Sequence, residues 1–167
     1  MAQISDPRKL FTYKLGTALS SEKKILSMLK KLEKRAQKQE LRKQFEHHRK
    51  ETEGQIRNLE QAFEVIGEKP TGRSNPTVIG LSEQADSLYE KSEDEVVDSV
   101  LLGGAAETEH LEIALYEDLI TQARAMGEQQ VVSLLEENLE QEQHTLEEVK
   151  RASEQIAQRS ASQLVSR

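Results

Sequence analysis

The chain has 167 residues, 32% of them charged and only 4% aromatic, with a formal net charge of −7 and no cysteine. These bounds describe one domain of strong helix formers with a sizeable core, and they disfavour any β class. Disulfides and thiolate metal sites are excluded, and the acidic balance argues against the basic face that a nucleic acid partner requires.

Met1 to Pro7 lacks the basic and apolar regions of a signal peptide. No apolar run approaches the roughly 20 residues that span a bilayer. The expectation is a cytoplasmic protein with neither membrane nor nucleic acid as partner.

Asp6-Pro7 supplies an N-cap and then a proline at the first helical position. The first long helix repeats Leu15, Leu19, Glu22, Leu26 and Leu29 at alternating steps of four and three, a packing seam with one glutamate in it. Lys34 to Gln39 carries the turn. The second long helix has a stripe of Leu41, Phe45, His48, Thr52, Gln55, Leu59, Phe63 and Ile66, apolar at its ends and polar in its middle. Glu51 lies beside that stripe, and Gly67 stops the helix. Pro70, Gly72, Ser74, Asn75 and Pro76 mark an irregular connection. Ile79 to Glu90 then reads as a short helix with Leu81, Ala85 and Leu88 on one side. This connection is long enough to run back along a whole helix, so the second and third long helices can be parallel.

Ser92-Glu93-Asp94-Glu95 reads as a capping box opening the third long helix, which Gly127 closes. Its inward stripe is Leu101, Ala105, Thr108, Glu112, Leu115 and Leu119, with Glu109 alongside. Val96 to Leu102 is apolar around more than one face. That calls for a second covering surface, either the short crossover helix or another subunit, and motivates a homodimer. The fourth long helix carries Val132, Leu135, Leu139, Glu142, Leu146 and Val149. From Arg151 onwards the Ser-, Gln- and Arg-rich chain is expected to fray, leaving a core of about residues 6–156 in a single domain.

Each long helix thus places a glutamate near its midpoint: Glu22, Glu51, Glu109 and Glu142. Midpoints of packed helices of similar length share one level, so these carboxylates should converge, with Glu112 one turn from Glu109. Unpaired charge in a core is costly and calls for a proton or a cation. His48 shares a face with Glu51, while His47 is expected to face solvent. His110 and His144 are rotated by about 100° and about 200° from Glu109 and Glu142, which assigns them to the surroundings of the site or to the surface. Gln55 and Tyr116, four residues beyond Glu112, are hydrogen-bonding candidates there. Carboxylate oxygen with some imidazole suits iron or manganese. A carboxylate-bridged metal pair in the core of a four-helix bundle is the established use of such an arrangement.

The residues Ser21-Glu22-Lys23-Lys24, His48-x-x-Glu51-Thr52-x-Gly54-Gln55, Glu109-His110-x-Glu112-Ile113-Ala114-x-Tyr116 and Leu139-x-x-Glu142 resemble the YciF family. That family is a bacterial branch of the ferritin-like superfamily associated with stress responses. The resemblance spans roughly Leu10 to Arg151. It implies an all-α, ferritin-like up-down four-helix bundle with a long crossover carrying a short helix, a dimer, and a di-iron or di-manganese centre with two ions per chain. Rubrerythrin-like relatives also use a Glu-x-x-Glu pair on the third long helix, matching Glu109 and Glu112. Gly54 and Thr145 stand where the usual motif has histidine after Glu51 and Glu142. Nitrogen must then come from His48 or elsewhere, or the site is nearly all oxygen.

Three readings are open for these residues. In the first, Glu22, Glu51, Glu109, Glu112, Glu142 and His48 hold two ions that react with peroxide or dioxygen, as in a peroxidase, catalase or ferroxidase. In the second, the protein is a metal-free structural or binding stress protein whose mid-level acids and His48 form a hydrogen-bonded layer that fixes helix register. Iron storage in a shell is a third, with no cage-forming contact identifiable.

Overall fold

The computed structural model describes residues 4–165, which among themselves form five helices and no strand. These are α1 (Pro7–Arg35), α2 (Gln39–Val65), α3 (Pro76–Glu90), α4 (Asp94–Ala125) and α5 (Gln129–Val165). None is long and apolar enough to cross a membrane. Asp6 caps α1 by accepting from the Lys9 N–H at 2.9 Å. Gly67 and Gly127 take φ of +75° just past the ends of α2 and α4, a conformation that glycine adopts without steric cost.

Several local expectations are corrected. The short helix starts three residues early, because Asn75 accepts from Thr77 N–H at 3.1 Å and Pro76 takes the first helical position. Its buried side is Val78 and Ser82, while Leu88 is 49% exposed. Small residues line this approach, with Ala85 set against Gly104 of α4. The capping box before α4 does not form. Ser92 instead donates to the Leu88 carbonyl at 2.7 Å and closes α3, and Glu93 caps without a side-chain bond. In α1 the seam continues through Ile25 rather than Leu26, and in α4 Tyr116 rather than Leu115 is the buried residue. The segment from Arg151, expected to fray, continues α5 as helix to Val165, with Ile156 buried.

α2 has no side-chain cap of its own. Asp98 of α4 supplies one from across the molecule, accepting from Gln37 N–H at 2.7 Å and Lys38 N–H at 3.3 Å. These contacts set the C-terminal end of α1 beside the start of α4, and near the other end of α1 Lys14 meets Asp118 of α4 at 2.6 Å. α1 and α4 are therefore antiparallel. Since short turns make α1–α2 and α4–α5 antiparallel as well, α2 and α4 run the same way, as the long connection permits. α5 packs on both α4 and α2.

The connection between α2 and α3 is seated rather than slack. Arg73 N–H donates to the Gly16 carbonyl at 2.8 Å. A Cβ on Gly16 would collide with the Thr71 carbonyl oxygen, so only glycine lets the strap lie this close. Farther on, Asn75 donates to Ser21 Oγ at 2.8 Å. Lys31 and Arg35 hold Asp86 at 2.6 and 2.7 Å and so tie α3 to α1. Packed on α4, α3 provides a covering surface for its apolar first half, where Val97, Leu101 and Leu102 are buried.

The buried apolar residues fall into two groups. One contains Phe11, Leu15, Leu59, Phe63, Leu119 and Leu135; the other contains Ile25, Leu29, Leu41, Phe45, Leu101 and Val149. Between them lies a layer that is almost entirely polar.

Candidate metal centre

Four helices feed this layer. α1 brings Glu22; α2 brings His48, Thr52 and Gln55; α4 brings Thr108, Glu109, Glu112 and Tyr116; α5 brings Asn138 and Glu142, and all are buried. Helical spacing explains the selection, since His48, Thr52 and Gln55, like Glu109, Glu112 and Tyr116, recur at three or four residues and so line one inward face.

His48, Glu109, Glu112 and Glu142 each offer a ligand-type atom within 4.8 Å of one another. His48 Nδ1 lies 3.5 Å from Glu109 Oε1, and His48 Nε2 lies 3.5 Å from Glu142 Oε2. Glu22 of α1 adjoins this group, its Oε1 accepting a hydrogen bond from the Tyr116 hydroxyl and its charge acting on Glu112 and Glu109.

Charge is the conspicuous feature. Four carboxyl groups share this space with one imidazole, and among the described residues no lysine or arginine is buried. Burial, followed by the neighbouring Glu142 charge, pushes Glu22 up to about 8. The same two causes hold Glu109 and Glu112 well above the carboxylate range. Burial raises Glu142 too, but the neighbouring His48, with smaller contributions from nearby Glu109 and Gln55, brings it below its ordinary value. Tyr116 is raised by burial and by the Glu22 charge. Buried polar atoms ordinarily have partners. Here Glu22 Oε2, His48 Nε2, Glu109 Oε2 and both oxygens of Glu112 and of Glu142 have no hydrogen-bond partner. Such a donor set fits a cation: hard oxygen atoms, one nitrogen, and excess negative charge.

The other expected residues are placed as follows. Glu51 stands at the rim, its side chain 19% exposed, with Oε1 3.4 Å from His47 Nε2. Its charge still reaches Glu109. Gln55 is fully buried at the layer, with neither amide atom hydrogen-bonded. His110 and His144, expected around the site or at the surface, are both exposed; their helical offsets turn them away from the layer, and His144 Nε2 sits 3.5 Å from Glu148 instead. The sequence reading missed Asn138. It carries no motif, and its only signal is a lone amide on the inward face of α5 between Leu135 and Glu142.

The sequence profile of DUF892, a domain of unknown function, matches residues 6–162. Protein YciF of Escherichia coli (strain K12) is 34% identical over 138 residues, 81% of this chain and 83% of its own length. Among solved structures, the E. coli stress protein YciF superposes with a TM-score of 0.88 at 29% identity, covering 93% of this chain and 99% of that one. YcfI of Rhodopseudomonas palustris, proposed to be a structural protein, gives 0.87 at 30% identity over 89% and 95% of the two chains. A Xanthomonas campestris protein at 24% identity shares the fold, with a TM-score of 0.77 over 95% and 98%.

Proposed function

The chain belongs to the DUF892 family, with the stress protein YciF among its relatives, and from that premise we propose a ferritin-like four-helix bundle that binds two iron or manganese ions and acts in stress. The observation that carries this reading is the set of unpartnered carboxylate oxygens in a layer whose only base is His48. Two divalent ions would bring four positive charges against four carboxylates, a balance that otherwise falls to protons on the acids and to His48.

His48, Glu109, Glu112 and Glu142 are the first ligands on this reading, and Glu22 and Glu51 complete the set. His48 supplies the nitrogen that Gly54 and Thr145 do not. Glu112 and Glu142 each interact with Glu22 and with Glu109, and so connect the ligands of α1 and α4. Glu51 reaches the layer by leaving His47. A bound cation would take the place of the protons that burial favours on Glu22, Glu109 and Glu112. The apolar groups on either side exclude bulk water. Iron or manganese held there supplies one-electron chemistry toward peroxide or dioxygen. A homodimer and a cytoplasmic location are part of the proposal; Leu88 and Val96, both about half exposed, offer apolar surface to a second copy, and a monomer mass at every concentration would remove the dimer.

The test is elemental analysis of protein expressed with both metals available and purified without chelator. About two equivalents per chain are expected, falling to near none in a Glu109→Ala, Glu142→Ala double variant. No metal in a helical, folded wild type, even after reconstitution, overturns the proposal. A second reading, the metal-free structural layer, is favoured by one observation: Asn58, Asn138, Tyr116 and Glu22 are already linked by hydrogen bonds.

A further inference from the structure

Asn138, on α5, is wholly buried, and each of its hydrogen-bonding groups is used. Its amide nitrogen donates to the main-chain carbonyl of Gln55 at 3.3 Å and lies 3.1 Å from the Tyr116 hydroxyl. Its oxygen accepts from the Asn58 amide at 2.8 Å. A main-chain carbonyl can only accept, so the group beside Gln55 has to be the NH2 and the group beside Asn58 the oxygen. The same NH2 meets Tyr116, so the phenol oxygen is an acceptor on that side. Its single proton is then left for Glu22 Oε1, the atom it meets. Every link has one direction, from Asn58 at the half-buried edge to Glu22 in the layer. At the end of the chain one oxygen of Glu22 is occupied, while Oε2 is buried without a partner.

We infer that Asn138 is a positioning residue for Glu22: it sets the direction of the Tyr116 hydroxyl, so that Glu22 Oε1 is held as an acceptor and Oε2 alone is presented to a cation. The last step rests on the metal reading above; the orientation of the hydroxyl does not. A purely structural asparagine, joining α5 to α2, would make the same bond to Gln55 but would leave the affinity of the folded protein for a cation unchanged.

The experiment uses the full chain as wild type, Asn138→Ala, Tyr116→Phe and the double variant, each checked for helical fold by circular dichroism. Mn(II) is titrated into metal-stripped protein and the free ion is read by electron paramagnetic resonance. Either single change should keep the stoichiometry and weaken binding roughly 10-fold, the usual cost of losing a group that orients a ligand. The double variant should be no weaker than Tyr116→Phe alone, because both changes cut one chain. Additive losses, or unaltered affinity in Asn138→Ala, overturn the inference.

A metal-free readout separates its failure from that of the metal reading. Proton NMR of the stripped protein should show a slowly exchanging hydroxyl that is absent in Tyr116→Phe. Its exchange should quicken about tenfold or more in Asn138→Ala, and by less in Asn58→Ala, which removes only the outer link and is the variant safest for folding. A wild type that takes up no Mn(II) ends the metal reading, and the hydroxyl still decides the role of Asn138. Protection unchanged in both asparagine variants overturns that role.

Discussion

At one end of the molecule Phe11, Leu15, Leu59, Phe63 and Leu135 are wholly buried among other apolar side chains. Two turns along α1, Glu22 is just as deeply buried, with Glu109, Glu112 and Glu142, and its neighbours are acids. The two regions share the same helices and the same depth, yet only the first gains free energy from being dry. Apolar burial contributes about 25 cal/mol per Å², whereas an uncompensated buried carboxylate is costly. The end groups therefore hold together a layer that would not assemble for its own sake. Such a division is what a binding site needs, because groups already satisfied have nothing left to offer a ligand.

The comparison can be broken from the apolar side first. Phe63→Ala should lower the unfolding free energy by about 3–5 kcal/mol in urea titration, with the number of bound ions unchanged. A loss below about 1 kcal/mol would mean that the end group does not carry the fold. From the polar side the sign should reverse. Glu112→Gln, which removes one acid from a crowded layer, should stabilise the metal-free protein by an amount of order 1 kcal/mol at pH 8 while weakening metal uptake. Lower stability in that variant would contradict the charge argument.

The dependence on pH follows from the same acids. Glu22 takes up a proton at about 8 in the fold against 4.5 ordinarily, so between these values the folded state holds a proton that the unfolded chain has released. Stability of the metal-free protein should therefore fall as pH rises across that window, and Glu109 and Glu112 act in the same direction. Glu142, held low beside His48, acts oppositely; its contribution is present above its ordinary value and lost in acid. Melting temperatures from pH 5 to 8.5 should decline without metal. With metal bound the trend should flatten or invert, since the cation takes the place of the protons.

The smallest effect expected lies at a helix end. Asp98→Ala removes the acceptor for the first N–H groups before α2 and should cost about 1 kcal/mol, with no change in metal binding.

Much of the arrangement was legible in the sequence because it repeats. Stripes at steps of three and four marked the long helices, and the mid-helix glutamates Glu22, Glu109 and Glu142, with His48 on α2, marked the layer. The rotation of His110 and His144 away from their neighbouring acids was also written in the spacing, and both are exposed. What could not be read has no period. Asp98 caps a helix to which it is joined only through the fold, and Asn138 matters through partners on two other helices. Glu51 shows the limit of the stripe argument: it lies one position off the His48–Thr52–Gln55 face, which is enough to leave it at the rim beside His47. Leu115 and Tyr116 fit the spacing equally well, and the choice between them fell to packing.

The strap seated on Gly16 also bears on how the layer comes together. α1–α2 contributes Glu22 and His48, and α4–α5 contributes Glu109, Glu112 and Glu142, so neither hairpin holds the whole set. The strap turns their encounter into an intramolecular event, with an effective concentration on the order of millimolar for a short flexible tether and higher where the tether is pinned. Opening the chain between Glu68 and Lys69 would leave the Arg73 seat in place and remove only that advantage. The two halves would then reassemble in proportion to their own concentration, and a cation drawn to ligands from both would act as the adhesive between them.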